Sequence, residues 1–395
     1  MYPSLYYAFR DLFGVNWPTL KMIQSFGFFV AISFLLAAYF FTKELQRKEI
    51  QGLVNPGSIK ILKGAKVTSL ELFSSALIGF LLGYKLVFVA FNFTAFTENT
   101  QGFLLSTKGN LIGGILGAIL SAYLKYREKE KEKLPTPELV DEVMHPYQHV
   151  GTMTLIAAFA GLIGAKVFHN LENWSVFMED PISALISFDG LTMYGGLICG
   201  SAAVIYYANK NKIAIPHLID SCAPGLMLAY GTGRIGCHVA GDGDWGIANI
   251  APKPSWLNWA PDWLWSYDYP NNVNGVGEVL PNCYDDRYCH HLVPAVFPTP
   301  LYESIACISL FLLLWMLRKR FTTPGIMFSV YLLLNGIERF FIELIRVNTK
   351  YDIGGFQFTQ AELISTILVL LGLSGIVYFR MRNKKITSQN ASTDY

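Results

Sequence analysis

The chain has little charge. Lys, Arg, Asp and Glu make up 15% of its 395 residues, and the formal net charge is +2. It lacks any basic block that could neutralise a phosphate backbone, which excludes nucleic acid as a partner. Cysteine is sparse, six in all, and none has metal-site spacing, so neither a metal nor another cofactor is expected. Cys199, Cys222, Cys237 and Cys307 lie in apolar runs, where a thiol packs as a small hydrophobe. Cys283 and Cys289 share a polar stretch and become disulfide candidates if that stretch is extracytoplasmic. The neighbouring His290-His291 pair reads as solvated. A small-residue cleavage site is missing after the first apolar run, so that run reads as a retained helix and not a signal peptide.

What is abundant is apolar surface, 52% of residues. Nine stretches are long enough to span a bilayer: about 22–41, 68–92, 110–126, 152–171, 189–208, 217–237, 301–317, 325–345 and 359–379. They predict an all-α polytopic transmembrane bundle, read as one integral membrane domain over 1–395. Basic clusters fall on alternate loops: Lys43 to Lys66, Lys125 to Lys133, Lys210 with Lys212, Arg318-Lys319-Arg320, and Arg380 to Lys385. The intervening loops hold few cations, such as Lys108, Lys253 and Arg287. The positive-inside rule therefore predicts an extracytoplasmic N-terminus and a cytoplasmic C-terminus.

On that topology residues 238–300 form one long extracytoplasmic loop. It holds Trp245, Trp256, Trp259, Trp263 and Trp265, most of the eight tryptophans. It reads either as a flap at the headgroup level, where indole is favoured, or as a small insert with its own core. Its Pro and Asn content predicts little regular structure. Residues 76–126 resemble 159–207, with Lys85 matching Lys166 and Gly113-Gly114 matching Gly195-Gly196. The segment 68–135 is thus expected to be an extra helix pair, a duplication of 152–208.

The stretch Gly233–Gly246, GRIGCHVAGDGDWG, ends an apolar run that begins near Pro216. Arg234 lies inside it, and an arginine within a span costs roughly 2.5–3.5 kcal/mol on insertion scales, which marks a functional site. Asp242 and Asp244 follow where the chain leaves the membrane. Arg339, Glu343 and Arg346 are spaced i, i+4, i+7 and share one helix face. Together with Arg234 they could grip a phosphate and stabilise it as a leaving group. Phe297-Pro-Thr-Pro-Leu-Tyr-Glu303 brings a proline turn into the seventh span. Glu303 is either a helix-start carboxylate favoured by the dipole or part of the site. Tyr194 offers a hydroxyl beside Gly195 and Gly196, after Phe188-Asp189-Gly190.

GRIG, then G-D-G-D-W-G, P-T-P-L-Y-E and G-I-E-R-F-F-I-E-L-I-R, with LIGAKVF and LTMYGGL upstream, resembles the prolipoprotein diacylglyceryl transferase family over about 15–40 and 155–380. The resemblance implies a multi-pass protein of the bacterial inner membrane with its site near the periplasmic face, which makes the N-terminal side of the expected topology the periplasm. It implies transfer of a diacylglyceryl group from phosphatidylglycerol to the lipobox cysteine thiol in a prolipoprotein signal peptide. Glycerol phosphate is released, membrane lipids surround the reaction, and no metal is used. The family's lipid-contacting arginine maps onto Arg234, and its essential late-helix arginine and glutamate map onto Arg339 and Glu343, with Arg346 matching too.

The chain departs from the family pattern at four positions: Tyr194 and Phe297 stand for histidines, Cys237 for asparagine, and Asn335 for tyrosine. One extra residue splits the acid into Asp242 and Asp244. A phenol is a weak base at neutral pH, so His238, Asp242 or Asp244 is expected to activate the thiol. In this reading Arg234, Arg346, Glu303, Gly195, Gly196 and Gly236 bind substrate, and Tyr194, His238, Asp242, Asp244, Arg339 and Glu343 serve the chemistry. Two alternatives belong to other classes: a paralogue acting on another acceptor, and a lipid-binding or transporter-like protein, for which Lys85 and Lys166 would matter more than the arginines.

Overall fold

The computed structural model describes residues 1–93, 96, 103, 106–186, 190–281, 283, 288–348, 350–353 and 355–393. Phe188, Asp189 and Arg287 lie outside the described residues. The chain is helical, as its composition requires. Long helices occupy all nine expected stretches: α2 (Ser25–Ile50), α3 (Ser69–Phe91), α4 (Leu111–Glu132), α5 (Val150–Glu172), α8 (Met193–Lys210), α9 (Ile215–Ala240), α10 (Thr299–Leu317), α11 (Ile326–Glu343) and α12 (Gln360–Thr393). Short helices α1 (Leu5–Phe13), α6 (Trp174–Glu179) and α7 (Pro181–Ile186) add to these. Among the described residues, α2, α3, α5 with its preceding turn, α10 and most of α12 are long and apolar enough by composition to cross a membrane. Helices α9 and α11 contain the ionisable residues of the candidate site, which lowers their apolarity.

Local signals set several helix ends. Thr68 and Glu71 form a capping box at the start of α3, and Thr359 with Glu362 repeats it at α12. Asn110 accepts the Gly113 amide at the start of α4. Helix α9 starts on a proline and ends at Gly241 in the left-handed region (φ 64°).

The chain divides into two compact units. The first comprises Met1–Asn55, Pro146–Thr154 and Tyr207–Tyr395. Helix α9 runs through it, packed on α2, α10 and α11, and α12 covers α11. Its core joins Ala223, Met227 and Leu228 of α9 to Cys307, Phe311 and Leu314 of α10 and Met327 of α11. Buried apolar area of this kind is worth about 25 cal/mol per Å².

Residues 238–300 also belong to the first unit. They have a small core of their own, Tyr269, Leu292 and Val296 backed by Trp245 and Tyr267. Asn272 is fully buried and donates to the carbonyls of Tyr269, Val276 and His290. Cys283 and Cys289 are disulfide-bonded. Among the described residues between α9 and α10, regular structure is limited to two 3-10 turns and the two-residue strands β3 (Glu278–Val279) and β4 (His290–His291). Trp256 and Trp259 nevertheless stand 71% and 79% exposed. The stretch is therefore a folded insert that presents indoles outward, combining features of both sequence readings.

The second unit comprises Pro56–His145 and Leu155–Tyr206. In it strand β1 (Gly57–Lys63) pairs antiparallel with β2 (Glu138–Met144), Gly57 opposite Met144. Helix α3 packs on α4 through glycine: a Cβ on Gly83 would collide with the Gly113 carbonyl, and one on Gly113 with Val87. Helix α5 meets α8 the same way, Gly164 against the Gly195 carbonyl and Gly195 against Phe168. The chain entering each second helix repeats a backbone bond, Asn110 N–H to Tyr84 O (2.9 Å) and Thr192 N–H to Ala165 O (3.1 Å). These contacts fall at matching positions of the two similar segments.

Candidate functional site

Three helices of the first unit, with the segments that follow two of them, deliver the site. Helix α9 brings Arg234 to a position 9% exposed, with Tyr230 one turn earlier on the same face. The proline turn after Phe297 starts α10 at Thr299, so Glu303 lies beyond the first turn and is completely buried. That removes the reading of Glu303 as an interfacial helix-start carboxylate. Helix α11 supplies Arg339 and Glu343 at its end, and Arg346 follows.

The loop after α9 is clamped between these elements. The Gly246 amide donates to Phe297 O (2.9 Å) and the Ile247 amide to Ile345 O (2.9 Å). A Cβ on Gly246 would stand 2.6 Å from the Ile345 carbonyl oxygen, so only glycine lets the strands approach. Thr299 Oγ1 donates to Asp244 O (2.8 Å) and fixes the aspartate.

The result is one network of three guanidinium groups and three carboxylates. Glu303 is the shared acceptor. Its Oε2 pairs with Arg234 Nε and accepts the Tyr230 hydroxyl (3.1 Å). Its Oε1 takes Arg339 Nη1 (3.2 Å) and Arg346 Nη1 (3.3 Å). Asp244 bridges Arg234 and Arg346, one oxygen to each. Glu343 pairs with Arg339 Nη2 (2.8 Å) and accepts Asn348 Nδ2 (2.5 Å). Burying each such ion costs several kcal/mol, and only a closed network of this kind offsets the cost.

Asp242 stands beside the network, and its Oδ1 accepts the Asp244 amide (3.3 Å). Burial pushes its carboxyl above the ordinary carboxylate range. Cys237, Asp242 and Asp244 bring donor atoms within 4.8 Å of one another. Both Asp244 oxygens already face guanidinium groups, so a cation there would have to displace them beside two positive charges. Cys237 Sγ accepts from Arg234 Nη1 at 3.8 Å. His238 turns toward the insert, with Nδ1 3.1 Å from the Tyr269 hydroxyl and its ring against Tyr267. Gly236 packs against Phe26 and Phe29 of α2.

Tyr194, Gly195 and Gly196 open α8 in the second unit, where the glycines pack on α5 and Tyr194 is half-buried. Sequence reasoning missed Tyr230, Thr299 and Asn348. Tyr230 carried a signal, its i, i+4 spacing from Arg234. The first unit also has an apolar cavity of about 350 Å³, lined by Trp256, Trp265, Phe297, Tyr302 and Ile345 among others. Tyr302 and Ile345 precede Glu303 and Arg346 in the chain.

The sequence model of the prolipoprotein diacylglyceryl transferase family matches residues 142–378, more than half the chain. The chain belongs to this family. The matched region holds helices α5 to α11, most of α12 and all three arginines; the α3–α4 pair lies outside it. Relatives are similar over most of their own length. A phosphatidylglycerol–prolipoprotein diacylglyceryl transferase of Dehalococcoides mccartyi is 26% identical over 246 residues, 62% of this chain and 82% of the relative. One from Clostridium perfringens, bearing the number 2, is 27% identical over 236 residues, 59% and 78%. One from Leptospira interrogans is 25% identical over 292 residues, 61% and 82%.

Proposed function

We propose that this member of the family transfers the diacylglyceryl group of phosphatidylglycerol to a prolipoprotein cysteine thiol. The observation that carries the reading is the convergence of Arg234, Arg339 and Arg346 on the single carboxylate of Glu303. In the reaction the thiol sulfur forms a bond to the glycerol carbon, the carbon–oxygen bond to phosphate breaks, and glycerol phosphate leaves. Negative charge gathers on the departing phosphate, which planar guanidinium groups bind bidentately. Glu303, Glu343 and Asp244 hold the three planes in place beforehand, so little reorganisation is needed when the lipid arrives. The apolar cavity lined by Tyr302 and Ile345 suits an acyl chain, and the exposed tryptophans suit the headgroup level of the outer leaflet.

The thiol proton goes to His238 or Asp242, the titratable groups that follow Arg234 in the chain. The acceptor cysteine lies in a lipobox, and the protein sits in the inner membrane with its N-terminus periplasmic and its C-terminus cytoplasmic. The matched glycine contacts in α3–α4 and α5–α8 support descent of one pair from the other. The departures Tyr194, Cys237, Phe297 and Asn335 favour a second reading, a different thiol acceptor served by the same phosphate site.

Reconstitution with phosphatidylglycerol and a lipobox peptide, followed by peptide mass, tests the first reading. A mass gain of one diacylglyceryl group is expected. No gain, under conditions where a relative works, overturns it. Comparing His238→Gln with Asp242→Asn separates the two proton acceptors: the true one, when replaced, abolishes the acid limb of the pH–rate profile.

A further inference from the structure

A second charged cavity lies at the opposite end of α10. It opens between the C-terminal parts of α2 and α10 and has a volume of about 530 Å³, a size typical of ligand sites. Trp315 is twelve residues past Glu303, which places it about 18 Å farther along the helix axis. The arginine network of the candidate active site is therefore not part of it.

Four cations line this cavity: Lys43, Arg47, Arg318 and Lys319. Among the described lining residues Glu44 alone carries negative charge. Its side chain is 2% exposed. It takes Arg47 in a two-point pair, Nε at 3.0 Å and Nη2 on the other oxygen, and Arg318 Nε lies 3.3 Å away. Glu44 thus fixes the orientation of Arg47 and faces Arg318, whose Nη1 donates to the Trp315 carbonyl, and an excess of three positive charges remains. Arg318 is also laid flat over the Trp315 ring, with Cζ 3.6 Å from its centroid. Phe40 packs edge-on against the same ring (4.9 Å), and Lys43 stands 5.6 Å over Tyr39. Lys43 and Lys319 are exposed.

This is a site with a guanidinium wall, two exposed lysines and an aromatic floor. Positive charge in excess calls for an anion. Guanidinium groups held in plane suit a phosphate, and the aromatic floor, continuous with lipid-facing residues such as Tyr39 and Met316, suits the glycerol and first methylenes attached to it. We propose that this cavity binds the phosphate of an anionic phospholipid from the leaflet at this end, cytoplasmic in the orientation given above. The recognised group is a phosphate bearing net negative charge, which a soluble phosphate ester also offers but a zwitterionic lipid does not, and the test separates the two sources.

Full-length protein is delipidated in detergent and titrated by native mass spectrometry with phosphatidylserine, phosphatidylcholine or inorganic phosphate. Phosphatidylserine is chosen to avoid counting the phosphatidylglycerol of the transfer site. The expected result is tighter retention of phosphatidylserine than of phosphatidylcholine, undiminished by inorganic phosphate. The double variant Lys43→Gln/Lys319→Gln, folded by thermal unfolding, should lose that preference by roughly tenfold or more. Arg318→Gln provides a second, independent variant with the same expectation. Equal retention of the two lipids, or a folded double variant that keeps the preference, overturns the proposal. Displacement of phosphatidylserine by inorganic phosphate overturns the lipid source in favour of a soluble phosphate ester.

Discussion

The two ends of α10 use the same side chains to opposite effect. At the first end Glu303 is fully buried and gathers three arginines, and two further carboxylates bring the charges into balance. At the far end Glu44 gathers two arginines while two lysines remain beyond it. A balanced, buried network pre-sets its donors and excludes water, which suits stabilising charge that appears during a reaction. An unbalanced, half-open one holds a standing excess of charge, which suits a resident anion. The arginine side chains are 11–17% exposed at the first end and 19% at the second. The arginines are thus nearly as deep at both ends, and charge balance, more than residue type or depth, separates the two.

Breaking the hub of the first end should have the largest effect. Glu303→Gln leaves three buried arginines short of a counter-charge, and a stability loss of about 3–5 kcal/mol is expected, read as a drop in thermal unfolding temperature in detergent. Arg234→Ala should leave the fold intact enough to assay and lower transfer by roughly 10²–10³-fold. Full turnover by that variant would remove the phosphate-site assignment. The equivalent cut at the far end, Glu44→Gln, should cost less, about 1–2 kcal/mol, because its arginines can turn to water. A loss as large as that of Glu303→Gln would erase the distinction between the ends.

Smaller changes sharpen the contrast. Tyr230→Phe removes one hydrogen bond to Glu303 and should cost about 1 kcal/mol, seen as a small shift in unfolding temperature and a few-fold loss of rate. Asp242→Asn should have the least effect on stability, and that effect depends on pH. Burial raises the folded-state pKa of this carboxyl above its free value, so deprotonation opposes folding. The penalty is absent below the free value of 3.8 and complete above the folded one. The variant should match its parent at the acid end and gain stability over it as pH rises through that window, measured by unfolding temperature.

Long-range periodicity made the nine long helices readable, because a span must be apolar for about 20 residues whatever it packs against. The short helices α1, α6 and α7 went unread, since six to nine residues carry too little pattern to separate a helix from a loop. Arg339 and Glu343 were legible as a pair because one helix turn joins them. Glu303 was legible only as a carboxylate of open purpose. Its depth depends on α9 and α11 closing over the first turns of α10, and no local spacing encodes that.

Sequence alone determined what the membrane demands of it: the apolar runs, the alternating basic loops, the glycines at helix contacts and the family motifs. Each is a property of one segment or of its immediate neighbours in the chain. The three-dimensional fold decided that Arg234, Arg339 and Arg346 share one carboxylate, that residues 238–300 have a core while holding tryptophans outward, and that Glu44 leaves its neighbours in excess charge. Those are statements about distance and solvent exclusion between residues far apart in the chain, Glu44 and Arg318 among them, and electrostatic strength depends on both.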